Sequence, residues 1–141
     1  MADVFKEVFT ISAGDFASAG EASAKIKGIL RMIGIDPALT RRVTIASYEA
    51  ELNMIIHSQG GVITFEISPD TIGLNCADTG PGIADIDLAM REGYSTASSD
   101  VRMMGFGAGM GLPNMKKNSD EFSIDSDSNG TVLSMRFSII S

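Results

Sequence analysis

Asp36 and Pro37 open the segment that most limits what this chain can fold into. Asp is a strong helix N-cap and Pro fits the first helical position, so a helix is expected to begin there. Leu39, Val43, Ala46, Ala50 and Met54 then recur at three- and four-residue spacing and form one apolar stripe. The spacing predicts a helix to about Ser58, broken by Gln59-Gly60-Gly61. Val62–Ile67 and Ile72–Ala77 follow as two strands around the turn Ser68-Pro69-Asp70, the pattern of a hairpin. A long one-faced helix joined so closely to a hairpin buries its stripe most simply on a sheet. That favours an α+β, two-layer arrangement.

The flanks fit the same plan. Residues 4–11 alternate as an opening strand. Phe16, Ala19, Ala22, Ile26, Ile29, Leu30 and Ile33 predict a helix of about five turns, with Ser12 or Asp15 as its cap and Gly34 as its end. Residues 84–92 suggest a short helix. Residues 93–111 hold five glycines and little periodicity, and read as a mobile loop. A helix over about 112–118 and a last hairpin, 121–125 and 131–139 around a turn at Ser126–Gly130, complete the chain. The 141 residues are expected to form one domain, 1–141, with a mixed, mostly antiparallel sheet and helices on one face.

Composition narrows the partners. The net charge is −7, with 11 Lys and Arg against 18 Asp and Glu. The excess is concentrated late: residues 61–141 hold five basic and eleven acidic side chains. This argues against nucleic acid, which needs a basic surface. Any polyanion must be held by backbone N–H groups and a metal cation more than by a basic field. Cys76 is the single cysteine, so no disulfide is expected and a reducing, cytoplasmic setting is. The apolar runs are short, so no membrane span is expected, and the N-terminus does not read as a signal peptide.

Three patterns carry candidate chemistry. Glu49 and Asn53, four residues apart, share one face of the second helix. Asn can give an oxygen to a hard cation such as Mg²⁺, and Glu can take a proton from a hydroxyl. Read alone, the pair also fits a solvated helix face. Asp78-Thr79-Gly80-Pro81-Gly82 follows a strand, where Asp can accept from an exocyclic amine such as that of adenine. Read alone, it is also a tight turn. Gly105-Phe106-Gly107-Ala108-Gly109-Met110-Gly111-Leu112 leads into a helix, and its successive N–H groups suit a phosphate chain. A flexible hinge has the same composition. No Walker lysine follows, and no βαβ unit surrounds it.

In this order and context the three patterns resemble the N-box, G1 box and G2 box of the GHKL superfamily of ATP-binding domains. Gly130-Thr131 resembles the later-strand threonine that closes the adenine pocket. Segments 78–86, 92–96, 107–113 and 120–122 are similar to the anti-sigma-factor serine kinase branch, nearest its stressosome switch serine/threonine kinases. The resemblance spans essentially the whole chain. It implies a GHKL α/β sandwich, ATP and Mg²⁺ as cofactors, and residues 93–111 as an ATP lid. It implies Glu49 as catalytic base and Asn53 as the Mg²⁺ ligand. Asp78, Gly80, Gly82, Ile83 and Thr131 would hold the base. Gly107, Ala108, Gly109, Met110, Gly111 and Leu112 would cradle the phosphates, with Arg91, Arg102 and Lys116 as further phosphate candidates.

The activity implied is phosphorylation of a Ser or Thr on a STAS-domain partner, which frees the kinase for a downstream regulator. A homodimer is compatible with this. The alternatives are an anti-sigma factor that acts by sequestering a sigma factor, and an ATP-gated switch without efficient transfer. The chain departs from the pattern at Met54, where the family usually has Ala, and in the concentration of Met103, Met104 and Met110 in the lid. Asp125–Gly130 imitates half an EF-hand loop, but Arg136 stands where the closing glutamate is needed, so it reads as a hairpin turn. His57 is expected at a helix end, Cys76 in the core, and Asp85, Asp87 and Glu92 on a solvated face.

Overall fold

The computed structural model describes residues 4–83, 86, 90 and 111–139. The elements run β1 (Phe5–Ile11), a 3₁₀ turn (Phe16–Ser18), α1 (Glu21–Met32), α2 (Pro37–His57), β2 (Gly61–Ile67), β3 (Thr71–Thr79), α3 (Gly111–Asn118), β4 (Glu121–Asp127) and β5 (Gly130–Ser138). The strands form one sheet in the order β1-β2-β3-β5-β4. Every described pairing is antiparallel, the sheet expected having been mixed but mostly antiparallel.

Strand alternation sets the two faces. Ile63 and Phe65, Ile72, Leu74 and Cys76, and Leu133, Met135 and Phe137 point into one core and are fully or almost fully buried. Their neighbours in sequence face the other way and are mostly polar, as in Lys6, Glu66, Asn75, Ser134 and Arg136. α2 covers the core side and packs against both α1 and α3. Its expected stripe, Leu39, Val43, Ala46, Ala50 and Met54, is buried throughout. Met54 sits in this core, where its bulk is spent on packing.

The α2 boundaries follow the sequence signals. Asp36 caps the helix by accepting from the N–H groups of Ala38 and Leu39 at 3.1 and 3.2 Å. The N–H of Ser58 closes the other end on the Met54 carbonyl. The first helix is shorter than its apolar spacing suggests. Residues 16–18 make a 3₁₀ turn capped by Asp15, and α1 begins only at Glu21. Gly20 breaks the run at φ +96°, a left-handed conformation that a helix cannot contain. Among the described residues, no helix is long and apolar enough to cross a membrane.

Candidate functional site

Glu49 and Asn53 lie one turn apart on α2, both partly buried. The Glu49 carboxylate reaches the start of α3: a Cβ added to Gly111 would lie 3.3 Å from Oε2. Asn114, one turn into α3, donates its side-chain amide to the same carboxylate. Burial raises the Glu49 pKa above the ordinary value, and the Asn114 hydrogen bond partly opposes this. The result is a carboxylate that faces Asn114 at the start of α3, with its pKa raised from the ordinary value by burial. Asn53 makes no side-chain hydrogen bond among the described residues, so its carboxamide oxygen is available for a ligand. Asn114 was not singled out from sequence. Its place in the first turn of the helix after the glycine-rich loop is the signal that points to it.

The second cluster forms where β3 ends. The N–H of Thr131 donates to Asp78 Oδ1 at 3.1 Å. The register places Asp78 opposite Thr131 on β3 and β5, which is why the two meet. Oδ2 of Asp78 has no partner among the described residues. Burial raises the Asp78 pKa and the Thr131 N–H opposes it. Thr131 itself is 3% exposed. Cys76, two residues before Asp78, is fully buried in the core. Burial, reinforced by the Asp78 charge, pushes its thiol up to about 12. It is inert packing, as expected.

The turn after Asp78 is fastened to the β4–β5 hairpin. Gly82, at φ +78°, lies so close to the Asp127 carbonyl that no side chain fits. The N–H of Ile83 donates to Ser126 Oγ at 2.7 Å, and Ser126 Oγ shares a 2.8 Å hydrogen bond with Thr131 Oγ1. The N–H of Gly80 donates to the Asn129 carbonyl. At its other side the turn joins α2: Gln59 N–H donates to the Thr79 carbonyl, and Thr79 N–H to that of Gly60. Glu49, Asn53, Asp78 and Thr131 therefore stand on one hydrogen-bonded frame.

Ser126 corrects the expected hairpin. The turn read over Ser126–Gly130 is tighter, because β4 runs on to Asp127. Ser126 is thus a strand residue whose hydroxyl meets Thr131, and no short-range pattern announces it. The turn closes with Asp127 Oδ1 accepting from the Asn129 N–H at 2.8 Å.

The remaining candidates divide. Leu112 is buried at the start of α3, and Lys116 is exposed near its end. His57 is partly buried at the end of α2, with its pKa lowered by burial. The 84–92 helix lies outside the described residues apart from a bond between Met90 N–H and the Ile86 carbonyl. Asp85, Asp87, Arg91, Glu92, Arg102, Met103, Met104, Gly107, Ala108, Gly109 and Met110, and with them the expected lid, also lie outside the described residues. A cavity of about 240 Å³ opens between β1 and α1, beside Glu21 and Lys25, and shares no residue with the site above.

Residues 13–137 match the histidine kinase-like ATPase domain family. The chain belongs to this ATPase family. It is 31% identical over 104 residues to the serine/threonine-protein kinase RsbT of Bacillus subtilis (strain 168), across 71% of this chain and 72% of RsbT. It is 29% identical over 99 residues to the histidine–tRNA ligase of Halobacterium salinarum, across 70% of this chain but only 22% of the ligase. In the crystal structure of the RsbU and RsbW domains of Rv1364c from Mycobacterium tuberculosis, a region superposes with a TM-score of 0.65 at 16% identity. That match covers 94% of this chain and 32% of the other. At this identity it speaks for the fold alone, and the fold is the GHKL-like sandwich that the ATPase motifs implied.

Proposed function

We propose that this protein is an ATP- and Mg²⁺-dependent protein serine/threonine kinase whose substrate is a hydroxyl on a STAS-domain partner. The observation that carries the reading is the Glu49 carboxylate, which lies against Gly111 at the opening of α3, beside Asn114, and is raised in basicity by burial. The likeness to RsbT, itself a serine/threonine kinase, supports it.

The described residues fit both ligands. Asp78 Oδ2 can accept from the exocyclic amine of adenine, and Thr131 can offer its hydroxyl to the neighbouring ring nitrogen. Gly82, which carries no side chain, would let the backbone of the turn approach the base. The amides that open α3 would receive the phosphates, since a helix N-terminus favours negative charge. Asn53 offers an uncommitted oxygen beside Glu49, and hard cations prefer oxygen. When bound, Mg²⁺ supplies the charge neutralisation that a chain of net −7 lacks. Glu49 would take the proton of the attacking hydroxyl as that oxygen bonds to the γ-phosphorus and the bond from phosphorus to the β,γ-bridging oxygen breaks, releasing ADP. Asn114 holds the carboxylate in line, because phosphoryl transfer depends chiefly on alignment and electrostatics. Gly107–Met110 would complete the phosphate cradle. The protein works as a cytoplasmic unit in a partner-switching pathway.

The deciding experiment pairs the protein with each STAS-domain protein of its genome in labelled ATP and Mg²⁺. Label on one of them establishes both activity and substrate. ATP binding without label on any refutes the kinase reading and favours sequestration of a sigma factor or an ATP-gated switch. Asp78→Asn should weaken ATP binding by about tenfold and flatten the preference for ATP over GTP, since the amide can donate to a guanine carbonyl. Competition binding with the two nucleotides checks this, and an unchanged preference removes Asp78 from the adenine site.

A further inference from the structure

The geometry points to Ser126 as the positioning residue that sets the purine selectivity of the site, by giving its hydroxyl proton to Thr131. This rests on the adenine-nucleotide reading above. Ser126 Oγ has one proton and two acceptor positions. The N–H of Ile83, 2.7 Å away, can only donate, so it takes one acceptor position. The 2.8 Å bond between Ser126 Oγ and Thr131 Oγ1 can run either way in the free protein.

The purine decides the direction. Asp78 Oδ1 is held by the Thr131 N–H, so Oδ2 is the oxygen left for a ligand. Ionised, it can only accept, which selects the exocyclic amine of adenine. The ring nitrogen beside that amine is an acceptor, so Thr131 must spend its own proton on it. Thr131 then cannot donate to Ser126, and the shared bond is completed by the Ser126 proton. Guanine presents the reverse pattern: its carbonyl would meet the ionised Oδ2 with no proton between them, and its ring N–H would leave the Thr131 proton that Ser126 directs toward the ligand unused.

Ser126 has a second effect through the same atom. It ties Ile83, and with it the Gly82 turn, to β4. A Cβ on Gly82 would lie only 2.9 Å from Ser126 Oγ, which shows how closely the turn is seated. A single oxygen thus joins the turn beneath the base to the threonine beside it.

The test compares Ser126→Ala and Ser126→Thr with the unaltered chain. Kd is measured for ATP and GTP, melting temperature is recorded, and phosphotransfer is run at saturating ATP. Ser126→Ala should raise the Kd for ATP about tenfold and that for GTP much less, so the preference narrows. Transfer at saturation should change less than twofold, because Glu49 and Asn114 are untouched. Ser126→Thr, which keeps the hydroxyl, should restore most of the preference. A folded Ser126→Ala protein with unchanged selectivity overturns the role of Ser126 while leaving the ATP site intact. Equal losses for ATP and GTP also overturn it, and reduce Ser126 to a structural tie. Failure of the unaltered chain to bind either nucleotide overturns the site reading and this inference together.

Discussion

Glu49→Gln is expected to lower phosphoryl transfer by about 10²–10⁴-fold, the usual contribution of a positioned general base, while nucleotide binding survives. The substitution is nearly isosteric. Its amide oxygen can still accept from Asn114, so the joint between α2 and α3 holds. What disappears is the capacity to take a proton. Because burial works against the charged form of Glu49, a neutral side chain there should leave the melting temperature at neutral pH unchanged or higher. Single-turnover transfer from labelled ATP, a fluorescent-nucleotide titration and a thermal melt separate these effects. Transfer that persists in the variant would remove Glu49 from the reaction. Loss of nucleotide binding in a folded variant would make it a binding residue instead.

The same shift predicts a pH dependence with a definite sign. In the proposed role of base Glu49 would act only when ionised, and its pKa in the folded protein is raised. The acid limb of the transfer rate should therefore lie above the range of an ordinary glutamate. Stability moves the other way. The folded chain holds this proton to higher pH than the unfolded chain. The stabilisation from Glu49 is thus fully present below its unfolded value and lost as pH rises through the folded one. Glu49→Gln should abolish both trends at this position. An acid limb unchanged in the residual activity of the variant would assign that limb to another group.

The contrast between Glu49 and Glu51 shows what the sequence could convey. The motif Glu-Ala-Glu offers two carboxylates two residues apart, which a helix turns to different sides. Spacing to Asn53 points to Glu49, and the resemblance of the motif order pairs Asp78 with Thr131, two residues that the structure sets opposite each other on β3 and β5. These relations are short-range, or belong to a motif order that survives in sequence. Asn114, Ser126 and Glu51 are different. Each acts through a tertiary contact made by another segment, and no periodicity encodes that. The first helix shows a related failure: its apolar spacing continues through Ala19, but Gly20 adopts a conformation that ends the regular structure. Local backbone freedom overrode the hydrophobic pattern there.

Glu51→Ala is expected to have a large effect on stability. Glu51 is 2% exposed, yet it lies in the middle of α2 and faces α1. α1 has no side-chain cap of its own, because its N-cap position is Gly20. Glu51 takes over that task from 31 residues away: Oε2 accepts from the N–H of Gly20 at 3.0 Å and of Ala22 at 3.3 Å. Oε1 accepts from the N–H of Ser23 at 3.3 Å. Negative charge also suits a helix N-terminus. Glu51→Ala leaves these donors without their acceptor and opens space beneath them, which should destabilise the protein by about 3–5 kcal/mol. Against a typical total of roughly 5–15 kcal/mol, this is a drop in melting temperature on the order of 10 °C. Glu51→Gln should fall between, since its one carbonyl oxygen can serve only part of the set and its NH₂ meets another donor. Melting curves of the three proteins test the order. Equal stability of Glu51→Ala and the unaltered chain would show that water replaces the carboxylate at the α1 terminus. Where Glu51→Ala remains folded, its transfer rate should stay near that of the unaltered chain, because Glu49 faces α3 and keeps Asn114. A large loss of rate in the folded variant would show that clamping α1 to α2 is also what aims Glu49.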